Sequence, residues 1–165
     1  MTRFAEATPK DIPLLHTLGV KIFRQTYRQM LSEEQIEYMI EWMYSPTSLK
    51  KQMESNNTFY IVYYNETPCG YIGIEQQEET LFHLQRLYLD ETMRGKNIGR
   101  LMMEKVFDHV RSTSNREATI ELNVNRDNKT VEFYKKTGWH IIRSGDFHIG
   151  QGYYMTDHIM AIKIT

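Results

Sequence analysis

One stretch limits what this chain can fold into: Leu84-Gln-Arg-Leu-Tyr-Leu-Asp-Glu-Thr-Met-Arg-Gly-Lys-Asn-Ile-Gly-Arg100. It is an apolar strand that passes through a basic, glycine-bearing turn into an amphipathic helix. The first amides of a helix have no partner inside it, and the aligned peptide dipoles leave partial positive charge at that end. Gly95 and Gly99 lack a β-carbon, so backbone N–H groups there can come close to an anion. Arg94, Lys96 and Arg100 add full charges around the same turn, with Asn97 and Ile98 between them. The order predicts a cradle for phosphate oxygens. Taken alone, the segment also reads as a solvated basic loop joining a strand to a helix.

Composition narrows the remaining choices. The chain has 165 residues and a formal net charge of −1. That length predicts a single domain, 1–165, with a sizeable core. The balanced charge gives no global basic field, so extended nucleic-acid binding is not expected. Cys69 is the only cysteine, which rules out an internal disulfide and a cysteine-based zinc site. No metal, P-loop, dinucleotide or Ser-His-Asp pattern is present, and no metal is expected. Neither Met1–Glu6 nor any later segment has the apolar run of a signal peptide or bilayer span, so no membrane association and a cytoplasmic location are expected.

Patterning places the elements. Arg3–Ala7 reads as a short strand, followed by a helix with Thr8 as N-cap, Pro9 in first position, and Ile12, Leu15, Leu18 and Ile22 on one face. Ser32-Glu-Glu-Gln35 is a capping-box start for a helix that buries Ile36, Met39, Ile40 and Met43. Ser45-Pro46 opens a shorter helix. Strands over Thr58–Tyr64, Cys69–Glu75 and Leu81–Leu89 are joined by short turns, which predicts an antiparallel meander. A helix over Ile98–Arg111 then leads to a strand at Ala118–Asn123, a parallel crossover. Asp127 or Asn128 caps a short helix that Gly138 stops. Trp139–Arg143 and Met155–Ile164 read as the last strands, joined by a Gly-rich loop. Exposed strand edges at Trp139–Arg143 or the C-terminus offer a route to a homodimer.

The second informative block is Asn128-Lys-Thr-Val-Glu-Phe-Tyr134-Lys-Lys-Thr-Gly138-Trp139. Asn128 can hydrogen-bond a ligand amide, and Tyr134 lies on a later turn of the same helix; alone, this is a capped helix with a core aromatic pair. The two blocks together carry more. Arg-x-x-Asn-x-Gly between strand and helix, then Asn-x-x-Val-x-Phe-Tyr-x-x-x-Gly-Trp about thirty residues on, resemble the GNAT N-acetyltransferase superfamily. Asn97 stands where that family usually has a glycine, and asparagine is well suited to a left-handed backbone. Val131 and Trp139 replace the family's alanine and phenylalanine.

The resemblance implies an α/β (α+β) domain with a mixed, mostly antiparallel sheet of about seven strands flanked by helices. It implies acetyl-CoA as co-substrate, its pantetheine held in a splayed parallel pair, Leu81–Leu89 and Ala118–Asn123. Leu87, Tyr88 and Leu89 would lie along the pantetheine, and the turn Arg94–Arg100, from Gly95 and Lys96 to Ile98 and Gly99, would hold the pyrophosphate. Asn128 would meet the pantetheine arm, and Lys136 or Arg126 the nucleotide end.

The implied activity is acetyl transfer to a primary amine by direct attack in a ternary complex. An alkyl amine is mostly charged at neutral pH, so a proton must leave it. His83 and Gln85 share one face of the strand before the cradle. Imidazole ionises near neutrality, as a general base requires; a hydrogen-bonded structural role for His83, or a water relay through Gln85 or Glu75, is the competing reading. The resemblance gives Tyr134 the role of general acid toward the leaving thiolate, and the amide of Leu87 would meet the oxyanion.

For the acceptor, Tyr27, Tyr38, Trp42 and Tyr44 supply aromatic groups and Glu33, Glu34, Glu37 and Glu41 negative charge, although acidic residues in a first helical turn also simply complement its dipole. Ile36-x-x-Met39, Tyr44-Ser-Pro with Leu49 and Gln52, and Gly150-Gln-Gly-Tyr-Tyr-Met-Thr-Asp157-His-Ile-Met look like Pai-type bacterial polyamine acetyltransferases, which implies a spermidine-like acceptor. Asp157 is either an amine anchor or a partner within the sheet. Protein N-termini, lysines and small-molecule amines are alternative acceptors. A non-catalytic acyl-CoA-binding regulator is the alternative outside enzymes.

Overall fold

The computed structural model describes residues 1–165. Elements follow the order β1 (Thr2–Glu6), α1 (Ile12–Tyr27), α2 (Glu33–Tyr44), α3 (Pro46–Glu54), β2 (Asn57–Tyr64), β3 (Thr67–Glu78), β4 (Leu81–Leu89), α4 (Ile98–Thr113), β5 (Ala118–Asn125), α5 (Thr130–Lys136), β6 (His140–Gly150) and β7 (Tyr153–Ile164). The seven strands form one sheet in the order β1-β2-β3-β4-β5-β7-β6. Every neighbouring pair is antiparallel except β4 and β5. This is the mixed, mostly antiparallel arrangement expected. No helix is long and apolar enough to cross a membrane.

Each face of the sheet carries its own core. Val106 and Met102 of α4 pack on Phe82, Leu84 and Ile120 on one side. On the other, α1–α3 bring Phe23, Ile36, Tyr44 and Leu49 onto Phe59, Ile61 and Tyr71. Gly19 on α1 makes the second packing possible, because a β-carbon there would collide with the Tyr44 ring. Cys69 is buried in the first core, as a packed residue.

The first helix begins later than expected. Pro9–Asp11 form a single 3₁₀ turn, in which the Asp11 N–H donates to the Thr8 carbonyl and the Thr8 N–H to the Asp11 carboxylate, both at 2.8 Å. A helix starting at Pro9 would need an N–H from Pro13 in its interior, which proline lacks. Starting at Ile12 puts Pro13 in the first turn, where none is needed. At α2 the Ser32 Oγ accepts from the Gln35 N–H as expected, but the Gln35 amide reaches the Tyr154 carbonyl instead of closing a capping box.

The last two strands are longer than expected. Glycines at 145 and 150 read as loop, yet both lie in β6, and the true turn is Gln151–Gly152. Both turn residues have positive φ (53° and 77°), the mirror-type geometry that matches the twist of a hairpin. Trp139 precedes the strand and is buried in the α4-side core. The C-terminal strand is not an edge, since β7 lies between β5 and β6; β6 is the edge and exposes Ile141 and Ile142.

β4 positions the site. Gly73 of β3 opposes Arg86, and the next residue, Ile74, opposes Leu84, so Gln85 is an extra, bulged residue. One inserted residue exchanges the two faces of a strand. Phe82 and Leu84 enter the α4-side core before the bulge, and Leu87 and Leu89 pack against that same core after it. Arg86 and Tyr88 are sent to the other side, where the Arg86 guanidinium lies 5.1 Å from the Tyr44 ring centre.

Candidate active site

β4 and β5 pair over only three positions, Leu81 with Thr119, Phe82 with Ile120 and His83 with Glu121. Beyond these the strands part, in step with the bend that a bulge imposes at Gln85. A cavity of about 510 Å³ opens between them. Its wall takes Gln85, Leu87, Tyr88 and Leu89 from β4, Leu122, Asn123 and Val124 from β5, and Gly99 and Met102 from α4. Arg94, Asn128, Phe133 and Tyr134 complete one side, and Tyr27 and Met30 close the other from the end of α1.

At the basic end, Asp90 shapes the turn that follows β4. Its carboxylate accepts from the Thr92 N–H (3.0 Å), the Thr92 hydroxyl (2.9 Å) and the Lys21 ammonium (2.6 Å). Burial pushes its pKa up, but these donors outweigh burial and hold it at about 2. Gly95 (φ 83°) and Asn97 (φ 64°) both take left-handed backbone just before α4 starts at Ile98. Asparagine therefore does adopt the conformation expected of it. A β-carbon on Gly99 would meet the protein only at Phe133, 3.7 Å away, so the remaining room faces the cavity.

Of the expected cofactor residues, Leu87, Tyr88, Leu89, Arg94, Gly99, Asn128 and Tyr134 converge on the wall. Gly95, Lys96, Asn97, Ile98 and Arg100 are not wall residues; apart from Arg100 they form the turn joining Arg94 to Gly99, with the Ile98 side chain in the core and Lys96 above the Tyr64 ring. Lys136 is exposed and outside the wall, and Arg126 is paired with Asp146. The N-cap position of α5 falls on Lys129, one residue later than expected, and Lys129 makes no side-chain cap; Asn128 before it accepts from the Thr130 N–H at 2.9 Å, and Asp127 donates its own N–H to the Asn125 side chain.

Tyr134 is a buried residue of the cavity wall, and its hydroxyl makes no hydrogen bond to the protein. Burial raises its pKa above the ordinary phenol value. Nearby, the Tyr27 and Tyr88 hydroxyls are 3.3 Å apart, and burial pushes Tyr27 up to about 12. Gln85 is exposed on the bulge and lines the cavity. His83 does not. Its Nε2 lies 3.0 Å from the side-chain oxygen of Asn123, a wall residue. Glu75 is its cross-strand neighbour on β3.

Sequence reasoning did not single out Asn123. Polar Asn123 alternates with buried Leu122 and Val124 at the carboxyl end of a parallel strand, where open α/β sheets place ligands. That signal was available. Two of the four acidic helix residues, Glu33 and Glu37, pair with Arg24, and all four lie outside the wall, as do Tyr38, Trp42 and Tyr44.

Comparison with known proteins agrees with this geometry. Residues 27–157 match the family described as "Acetyltransferase (GNAT) domain". The fold is similar to that of the PaiA N-acetyltransferase from Thermoplasma acidophilum, solved in complex with coenzyme A (23% identity, TM-score 0.80, 99% of both chains). It is also similar to a GNAT-family acetyltransferase from Staphylococcus aureus Mu50 (15% identity, TM-score 0.75, 100% of both chains). A third similar structure is the ribosomal-protein-S18-alanine N-acetyltransferase from Escherichia coli (15% identity, TM-score 0.70, 100% of this chain and 95% of that one). At these identities the structural likeness speaks to fold, and the family match carries the assignment. The chain belongs to the GNAT acetyltransferase family.

Proposed function

We propose that the protein transfers acetyl from acetyl-CoA to a primary amine by direct attack in a ternary complex, with Tyr134 as the general acid. One observation carries the mechanism: Tyr134 is a buried residue in the wall of the splayed-strand cavity, and its hydroxyl makes no hydrogen bond to the protein. A phenol kept neutral by burial retains the proton that a departing thiolate needs. The cavity suits the co-substrate. Gly99 leaves room toward it, the left-handed turn at Asn97 brings α4's first amides to one end, and the part of β4 at Leu87–Leu89 is unpaired toward β5. Arg94 supplies charge for a pyrophosphate there. Asn128, whose side-chain oxygen already bonds Thr130, keeps its amide N–H groups for the pantetheine arm.

For the acceptor, the Pai-type resemblance and the likeness to PaiA favour a polyamine such as spermidine. The candidates for receiving the amine proton are a water held by Gln85 on the bulge and His83, whose Nδ1 has no partner while its Nε2 faces Asn123. Tyr134→Phe is expected to lower turnover roughly ten- to a thousandfold, the range of general acid catalysis. Stabilisation of the variant by acetyl-CoA in thermal melts should persist. Thiol release measured over a panel of polyamines, amino acids and peptides checks both; unchanged turnover removes Tyr134 from the mechanism.

A further inference from the structure

We propose that the Asp157 carboxylate is the charge that selects a cationic acceptor, acting at the end of the cavity walled by Asn123 and Tyr27. The proposal rests on the acetyl-transfer reading and names the residue behind its acceptor preference. Asp157 lies on β7, opposite Asn125 of β5 and Gly145 of β6, and is only 5% exposed. Its Oδ2 receives a single long hydrogen bond, 3.4 Å from the Asn123 amide nitrogen, and its Oδ1 is buried with no donor at all. A carboxylate out of water needs two or three donors. Asp157 has one poor one.

The neighbours do not supply the rest. Arg126 gives its guanidinium to Asp146 and the Gly145 carbonyl. His158, the next residue along the strand, points to the opposite face, where its Nδ1 is 2.6 Å from the Ser144 hydroxyl. Tyr27, on α1, holds its hydroxyl 3.3 Å from that of Tyr88. No cation within 4 Å pairs with Asp157, although ten ion pairs form elsewhere in the molecule.

The Asn123 side chain transmits this charge toward the cavity. A carboxylate can only accept, so the Asn123 nitrogen faces Asp157 and its oxygen faces His83, which must donate from Nε2. Asn123 and Tyr27 are wall residues, so the uncancelled charge lies directly behind the cavity wall. With one side chain between the carboxylate and the cavity, its field reaches a bound ammonium. A primary ammonium brings a positive charge and three donors, and no anionic or neutral acceptor gains as much there.

The test pairs two kinds of acceptor. Spermidine and 1,4-diaminobutane are cationic at assay pH; 2,2,2-trifluoroethylamine, a weak base, is neutral. In Asp157→Asn, kcat/KM for the cationic amines is expected to fall roughly ten- to a hundredfold, with little change for trifluoroethylamine. The KM for acetyl-CoA should not move, and Asp157→Glu should recover part of the loss. Equal losses on both acceptors, or none on either, overturn the proposal. If the wild type acetylates no amine yet binds acetyl-CoA, it is the acetyl-transfer reading that fails. Calorimetric titration with 1,4-diaminobutane then decides Asp157 separately: binding lost in Asp157→Asn supports the role, and no binding to the wild type ends it.

Discussion

Asp90 and Asp157 are equally buried, each 5% exposed, and each adjoins the wall of one cavity, yet their surroundings are opposite. Asp90 accepts two bonds from Thr92 and one from Lys21, and ionises at about 2. Asp157 has a single long bond and an oxygen without a donor, and burial raises its pKa. The first carboxylate builds the fold: it closes the turn that delivers Arg94 and Gly99 to the site. The second costs the fold stability and returns only its charge. Buried charge that the structure leaves unsatisfied marks where stability has been given up for function.

The largest stability effect is expected from Asp90→Ala. It strands the Thr92 N–H and hydroxyl and frees Lys21, so unfolding stability should fall by roughly 2–3 kcal/mol. Urea denaturation measures the loss. Because the turn carries Arg94 toward the cavity, the KM for acetyl-CoA should rise as well. A variant as stable as the wild type would erase the contrast between the two carboxylates.

Acid should separate them further. The folded-state pKa of Asp90 is depressed, so its stability contribution is whole above the ordinary carboxylate value of 3.8 and is lost as pH falls toward about 2. The shift corresponds to at most about 2 kcal/mol, and the exposure of Lys21 brings a realistic figure nearer 1 kcal/mol. The folded-state pKa of Asp157 is raised, chiefly by desolvation. Its contribution therefore has the reverse sign: a penalty at neutral pH that disappears as pH falls through that raised value to the unfolded one. Comparing wild type with Asp90→Ala across pH 2 to 7 should show the gap between them narrowing, by about 1 kcal/mol, only at the acid end.

Much of this was legible in the sequence wherever the signal was local. Leu81–Leu89 reads as a strand and is one, because short turns bound it on both sides. Asn97 reads as able to take a left-handed backbone and does. The bulge at Gln85 was not legible, since a one-residue shift is decided by what β3 presents across the pairing, not by β4's own pattern. Gly145 and Gly150 concealed the length of the final hairpin, because glycine marks loops more often than strand interiors. The acceptor end was hidden for a third reason. Tyr27, Asn123 and Asp157 come from α1, β5 and β7, brought together by a sheet in which β7 inserts between β5 and β6. Motifs run along the chain, whereas this constellation runs across it.

The smallest expected effect is the most discriminating one. Asp157→Asn keeps the shape of the side chain, removes a buried unpaired charge and adds an amide able to donate to the neighbouring side chains. A side chain that stabilised the sheet would make this change destabilising. The contacts of Asp157 give the opposite expectation, a gain of about 1 kcal/mol at neutral pH. The gain should shrink as pH falls and vanish below the ordinary carboxylate pKa, where both proteins carry a neutral group. Denaturation at two pH values, beside the acceptor kinetics of the same variant, reads both quantities from one preparation. A more stable protein that handles cationic amines poorly has lost a functional charge; a less stable one would place Asp157 with Asp90, as part of the frame.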